Sequence, residues 1–289
     1  MSERALVTGY GWRDGIPVLR VRLGQRTATW SLSGEVHLEV TAERRCPGFQ
    51  GVEGPEPCPD SAVPDRRQCR ACEQRDTFRP CMTCDGLRCP PLTPRMQRYC
   101  QDTHVLYLAH FGSPPIKVGT AVHRRRDQRL VEQGPLAAVR VAQGPGPSIK
   151  QMEACLVRQD GFVEAMRRTR KEQLLASGTS AEEARTALIS LSGGLAARVP
   201  KDLVGLLHEP DPYHAPEMAR RARGWSVQRL PVEPGTRIRG RLAGAIGHLA
   251  FLEDTEGRFA VDLGDLRTRM VIRNPSGEGR RPVVQLGMF

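Results

Sequence analysis

Apolar and polar residues alternate along residues 1–45. Leu19, Val21 and Leu23 interleave with Arg20 and Arg22, and Val36, Leu38 and Val40 interleave with Glu35, His37 and Glu39. Breaks at Asp14-Gly15, Gly24 and Gly34 separate these runs, so two or three antiparallel strands are expected. Short apolar runs at 104–111, 116–121 and 137–142 predict further strands. Helical spacing follows at 123–133, 148–173 and 180–192. The last of these helices opens at Thr179 or Ser180, with Glu182 and Glu183 in its first turn, a pattern that caps a helix N-terminus. From 223 onward the pattern returns to strands, punctuated by Gly240, Gly244 and Gly247 at positions suited to bends or bulges.

This order divides the chain into four parts: a β segment at 1–45, a Cys-rich module at 46–100, an α/β domain at 101–222 and a β segment at 223–289. The class is α+β. The two β-rich ends are expected to pack together, with the middle parts inserted between them.

Length and composition narrow the options. The chain has 289 residues, 39% hydrophobic and 26% charged, enough apolar content for packed cores and too much for a disordered protein. There is neither an apolar run of membrane-spanning length nor an apolar stretch near the start, so no membrane association is expected and a cytoplasmic location is. Forty-three basic against 32 acidic residues give a net charge of +11. Such an excess points to a polyanionic partner, DNA or RNA, although the dominance of Arg over only four Lys also fits a GC-rich coding bias.

Cysteine placement says more than cysteine number. Eight of the nine fall between Cys46 and Cys100. In a reducing compartment, clustered thiols suit metal better than disulfides. Cys69 and Cys72 form one C-x-x-C turn, Cys81 and Cys84 a second, and Cys89 follows. Two such turns are expected to complete a four-thiolate structural zinc site of zinc-ribbon type. Cys46, Cys58, Cys89 and Cys100 are available for a second zinc, and the order along the chain does not fix which thiols share an ion. The surrounding Pro-rich, hydrophilic segment buries too little to order itself without metal. Cys155 stands apart and is expected in the core, and His248 is expected to be a packed or surface histidine.

In the central part, the strand containing Val105-Leu106-Tyr107 is followed by a Pro114-Pro115 turn, the strand Ile116-Lys117-Val118-Gly119-Thr120 and an Arg-rich helix. This order resembles the GIY-YIG endonucleases, whose name describes two tripeptides on neighbouring strands. Val105-Leu106-Tyr107 stands for the first and Lys117-Val118-Gly119 for the second. Arg129-Leu130 matches the Arg-Leu of the family's first helix, and Glu153 its metal-binding glutamate. More narrowly, the spacing looks like that of a poorly characterised bacterial family that joins a Cys-rich module to such a region and ends in a glycine-punctuated β segment. That likeness covers nearly the whole chain, and the likeness to the nuclease fold covers about 104–165.

The resemblance implies phosphodiester cleavage with Mg²⁺ or Mn²⁺ held at Glu153. Arg129 would neutralise the phosphate, and Tyr107 would orient or deprotonate water if Lys117 or the metal lowers its pKa. His123 and the run Arg124-Arg125-Arg126 are candidate phosphate contacts, and His104 is a weaker candidate base. Two departures matter: Lys117 stands where these nucleases carry a tyrosine, and Val105 where they carry glycine. They keep a second reading open, a zinc-containing, non-cleaving DNA- or RNA-binding protein with a regulatory role. The sequence leaves the oligomeric state undetermined.

Overall fold

The computed structural model describes residues 2–87, 93–168, 178–225 and 228–275 of the chain. It is an α+β protein with two compact units. One is built from Met1–Asp76 together with Pro216–Phe289, the other from Thr77–Ala215. The boundary between residues 76 and 77 falls within the Cys-rich stretch, and the second lies between residues 215 and 216.

The first unit begins with four strands, one more than the upper expectation: β1 (Glu3–Arg13), β2 (Ile16–Leu23), β3 (Arg26–Ser31) and β4 (Glu35–Arg44). Asp14 and Gly15 both take positive φ and close a two-residue hairpin between β1 and β2, the geometry that matches strand twist. A small hairpin of β5 (Phe49–Gln50) and β6 (Pro55–Glu56) and a short helix α1 (Arg70–Arg75) complete this part.

The second unit opens with a single-turn helix at Arg79–Thr83 and α2 (Pro94–Gln101), followed by β7 (Thr103–His110) and β8 (Ile116–Val122). Next come α3 (Arg126–Gln133), β9 (Ala137–Pro145), α4 (Gly146–Val157) and β10 (Phe162–Val163). Last are α5 (Ala181–Ser192) and β11 (Leu207–Pro212). The sheet order is β10-β8-β7-β9-β11, with β7 at the centre and antiparallel to both neighbours. Ile149, Met152 and Leu156 of α4 and Ala184 and Leu188 of α5 pack on one face with Leu106, Leu108 and Val118. On the other face Leu130 of α3 packs with Val105, Tyr107 and Ala121.

Two helix boundaries differ from the periodicity. The helix expected from 123 starts as a single 3₁₀ turn at His123–Arg125 before α3. The helix expected over 148–173 ends at Val157. Gly161 turns the chain at φ 88°, and Phe162 and Val163 pair in parallel with Ile116 and Lys117. Apolar residues that continued the helical spacing thus serve as an edge strand, and residues 169–173 lie outside the described ones. The third helix is capped as its sequence indicates. The Glu183 amide donates to Ser180 Oγ at 3.1 Å, and the Ser180 amide donates to Glu183 Oε2 at 2.8 Å.

The chain then returns to the first unit with α6 (Glu217–Arg221), β12 (Gln228–Arg229), β13 (Arg237–Ile246), β14 (Leu249–Asp254), β15 (Gly257–Asp262) and β16 (Arg269–Arg273). The two ends of the chain share one sheet of order β12-β15-β14-β13-β4-β16-β1-β2-β3, with β16 inserted between β4 and β1. Leu19, Val21, Leu38, Val40, Ile238, Leu252 and Val271 fill its core. Gly244 sits at a register shift in β13, where a Cβ would lie 2.7 Å from the Ala222 side chain, so glycine is required by close packing. His248 is buried against Asp262. No helix among the described residues is long and apolar enough to cross a membrane.

Candidate functional site

In the Thr77–Ala215 unit, β7 and β8 set Tyr107 opposite Gly119 and Ala109 opposite Lys117. Since directly paired residues share a face, Tyr107 and Lys117 project to the side on which α3 packs. Both are buried, at 1% and 6% exposure, and Glu153 of α4 is buried at 5%. Arg129 of α3 stays exposed and has no ion pair among the described residues.

These four groups feel one another. Burial pushes the Tyr107 hydroxyl up to about 12, against the pull of the Arg129 guanidinium beside it, while the Glu153 charge adds to the rise. Burial together with Arg129 brings the Lys117 ammonium down to about 8, with Glu153 and Glu164 opposing. Burial also raises the Glu153 carboxyl, against the attraction of Lys150 and Lys117. Lys117 Nζ donates to the Glu164 carbonyl, and Lys150 Nζ donates to Glu153 Oε2 at 2.5 Å. Lys117, Lys150 and Arg129 thus stand among Glu153, Glu164 and Glu132, so cationic and acidic groups are interleaved around the buried hydroxyl.

The proposed phosphate-contact run is less available than its sequence suggests. Arg124 pairs with Asp102, Arg125 with Glu132 at 3.2 Å and Arg126 with Asp127 at 3.7 Å, and Arg126 also donates to the His123 ring. These are surface pairs of small net stability, so an anion can compete for them. His104 is buried beside Asp102, its ring nitrogen 2.9 Å from that carbonyl, and burial lowers its pKa. Two neighbours were not singled out from sequence. Lys150 stands one helical turn before Glu153, a relationship the spacing contained. Arg140 of β9 lies opposite Tyr107 and is held by Asp127 and, at 2.5 Å, by Asp211, which only the fold brings near.

The Met1–Asp76 and Pro216–Phe289 unit holds a second cluster. The sulfurs of Cys46, Cys58, Cys69 and Cys72 all lie within 4.8 Å of one another and are buried. Cys46 lies two residues beyond β4, and the β5–β6 hairpin and the start of α1 bring Cys58, Cys69 and Cys72 to it. This differs from the expected grouping of Cys69 and Cys72 with Cys81 and Cys84: among the described residues their sulfurs gather with those of Cys46 and Cys58. Cys89 lies outside the described residues. Contiguity along the chain suggests one ribbon, whereas the segments after β4 and after β6 supply the other two thiols, Cys46 and Cys58.

No family model matches this chain, nor does any curated protein or solved structure. The chemistry therefore rests on the residues. In the Cys cluster the Cys69 amide donates to Cys46 Sγ at 3.3 Å, the kind of bond that stabilises a thiolate. Burial pushes the Cys46 and Cys72 thiols up. Burial also acts on Cys58, but backbone bonds at Ala62 and Asp60, with its neighbouring thiols, outweigh it and hold that group low. Four buried sulfurs of this kind are a donor set for a soft or borderline metal ion. Cys155, expected in the core, is only half-buried and donates to the Arg198 carbonyl at 3.4 Å.

Proposed function

We propose that the Thr77–Ala215 unit is a GIY-YIG-like domain that cleaves phosphodiester bonds of nucleic acid, and that the four-cysteine cluster holds a structural Zn²⁺. One observation carries the first part: Tyr107, Lys117, Arg129 and Glu153 come from four separate elements and occupy one electrostatic neighbourhood. The net charge of +11 supports a polyanionic substrate. For the second part, bonds of about 2.3 Å to a tetrahedral zinc place sulfurs roughly 3.8 Å apart. Cys58 and Cys69 already stand at 3.9 Å.

Burial redistributes the roles that the resemblance implies. A Tyr107 hydroxyl at about 12 does not deprotonate water near neutral pH, so it serves as a hydrogen-bond donor that orients water or phosphate. Lys117, at about 8, is the better base. Its neutral amine takes a proton from water, the water oxygen bonds to phosphorus, and the ester oxygen leaves and is protonated from solvent. Arg129 is exposed at the site and can meet the non-bridging oxygens. Glu153 offers one carboxylate to Mg²⁺ or Mn²⁺, ions that bind through few carboxylates and keep waters. Bound there, such an ion would neutralise charge developing on the phosphate.

A specific contact favours the second reading, binding without cleavage. Lys150 already neutralises Glu153 at 2.5 Å and must yield before a cation can bind. Incubating duplex, branched and single-stranded DNA and RNA with Mg²⁺ or Mn²⁺ separates the two. Cleavage by the parent protein but not by Glu153→Ala supports the nuclease. Salt-dependent binding with no cleavage by folded protein supports the binding reading.

A further inference from the structure

In the same unit, the segment that leads into β7 presents aromatic and apolar surface beside the cations of the candidate site. Phe78 is 36% exposed and Leu87 66% exposed. The Phe78 ring packs edge-on against Tyr99, with centroids 5.6 Å apart at 74°, and Tyr99 packs edge-on against His104 at 5.2 Å and 89°. These contacts fix a row of three rings running from the surface to the start of β7.

The row stands next to the cations by direct contacts. Asp102, which ends α2 just after Tyr99, pairs with Arg124. On the Leu87 side, Gln151 Nε2 donates to the Gly86 carbonyl at 3.1 Å. A Cβ on Gly86 would meet the Pro147 carbonyl at 2.2 Å, so this loop lies against the first turn of α4, the helix that carries Lys150 and Glu153. Arg125, Arg129, Arg124 and Lys150 all act electrostatically on Tyr99.

An exposed ring beside cations is what an unpaired nucleotide requires: a face for the base to stack on and charge for the adjoining phosphates. In a duplex the base faces are already stacked on one another, and only phosphates and groove edges remain to be read. We infer that Phe78, supported by Tyr99, is a stacking platform for unpaired bases, and that the preferred partner is single-stranded or locally unpaired nucleic acid. This rests on the nucleic-acid reading of the site and names its substrate class. The platform is short, one or two bases, in keeping with a chain only 5% aromatic.

The test uses the full chain carrying Glu153→Ala, so that binding is read without cleavage. The probes are a fluorescein-labelled single-stranded oligonucleotide and the same sequence as a duplex, each titrated at two salt concentrations. The expected result is tighter binding of the single strand and a loss of about tenfold or more with Phe78→Ala, the scale of one stacked base. Duplex affinity should change little, and Phe78→Tyr should retain binding. Phe78→Leu keeps apolar bulk without an aromatic face and should lose most of the preference, which covers the case in which the alanine variant does not fold. Unchanged single-strand affinity in folded Phe78→Ala and Phe78→Leu, or a preference for duplex, overturns the platform. Absence of cleavage by the parent protein with the single-strand preference intact overturns the nuclease reading alone. Cleavage that persists while the preference is missing overturns the platform alone.

Discussion

Tyr107 and Gly119 face each other across β7 and β8 so closely that a Cβ on Gly119 would lie 2.3 Å from the Tyr107 hydroxyl. The glycine of the second tripeptide thus exists to receive the tyrosine of the first. Gly119→Ala should displace a fully buried ring and cost about 1–3 kcal/mol, the usual range for overpacking. Thermal melts of the variant check this, and an unchanged melting temperature would show that the ring has room to move.

Lys117 should make stability rise with pH. Its folded pKa of about 8 lies below the ordinary 10.5, so the unfolded chain binds the extra proton between these values. The protein is thus destabilised below pH 8 and gains stability as pH climbs from about 8 toward 10.5, by at most about 3 kcal/mol. Tyr107, raised to about 12, acts in the opposite sense and only from about pH 10 upward, where its stabilising contribution is lost. Denaturant titrations at pH 7 to 10 should show the rise in the parent protein and a flat profile in Lys117→Met. If Lys117 is the base, cleavage should climb through the same region near pH 8.

Metal content should follow the spatial grouping of the thiols. Cys46→Ser or Cys58→Ser, far from the C-x-x-C turns in sequence, should each remove the same zinc equivalent as Cys69→Ser and lower the melting temperature with it. Cys81→Ser should leave that equivalent in place. Zinc analysis of purified variants decides the matter; retention of the ion in Cys46→Ser would reject the cluster.

The capping box at Ser180 is a local device with a local cost. Ser180→Ala should destabilise the protein by about 1 kcal/mol through loss of the bond from the Glu183 amide. Because α5 packs Ala184 and Leu188 into the core, amide exchange along this helix should accelerate.

What could be read from the sequence was what neighbouring residues determine. Strand alternation in β2 and β4, the Asp14-Gly15 hairpin and the Ser180 cap are short-range patterns, and all three are in the structure. The union of the two chain ends was anticipated from their shared β character. Features set by distant segments were not legible. Cys46 joins Cys69 because β4 ends beside the loop before α1, and Arg140 meets Asp127 only through the sheet order. The end of α4 at Val157 was hidden for another reason: Phe162 satisfies helical spacing and strand pairing equally, and Gly161 settles the choice with a left-handed turn. At the candidate site, residue types could be named from sequence, but the direction of each titration depends on burial that only the fold supplies.

The placement of β16 between β1 and β4 sets an order on synthesis. Residues 77–215 form a continuous stretch and can collapse as soon as they leave the ribosome. The first four strands, although made earlier, cannot complete their sheet until residues 269–273 arrive. During that interval β1 and β4 expose edges that later become internal, and such edges invite pairing with other chains. A metal bound early to the Cys46 and Cys69 region would restrain that unfinished half while it waits for its last strand.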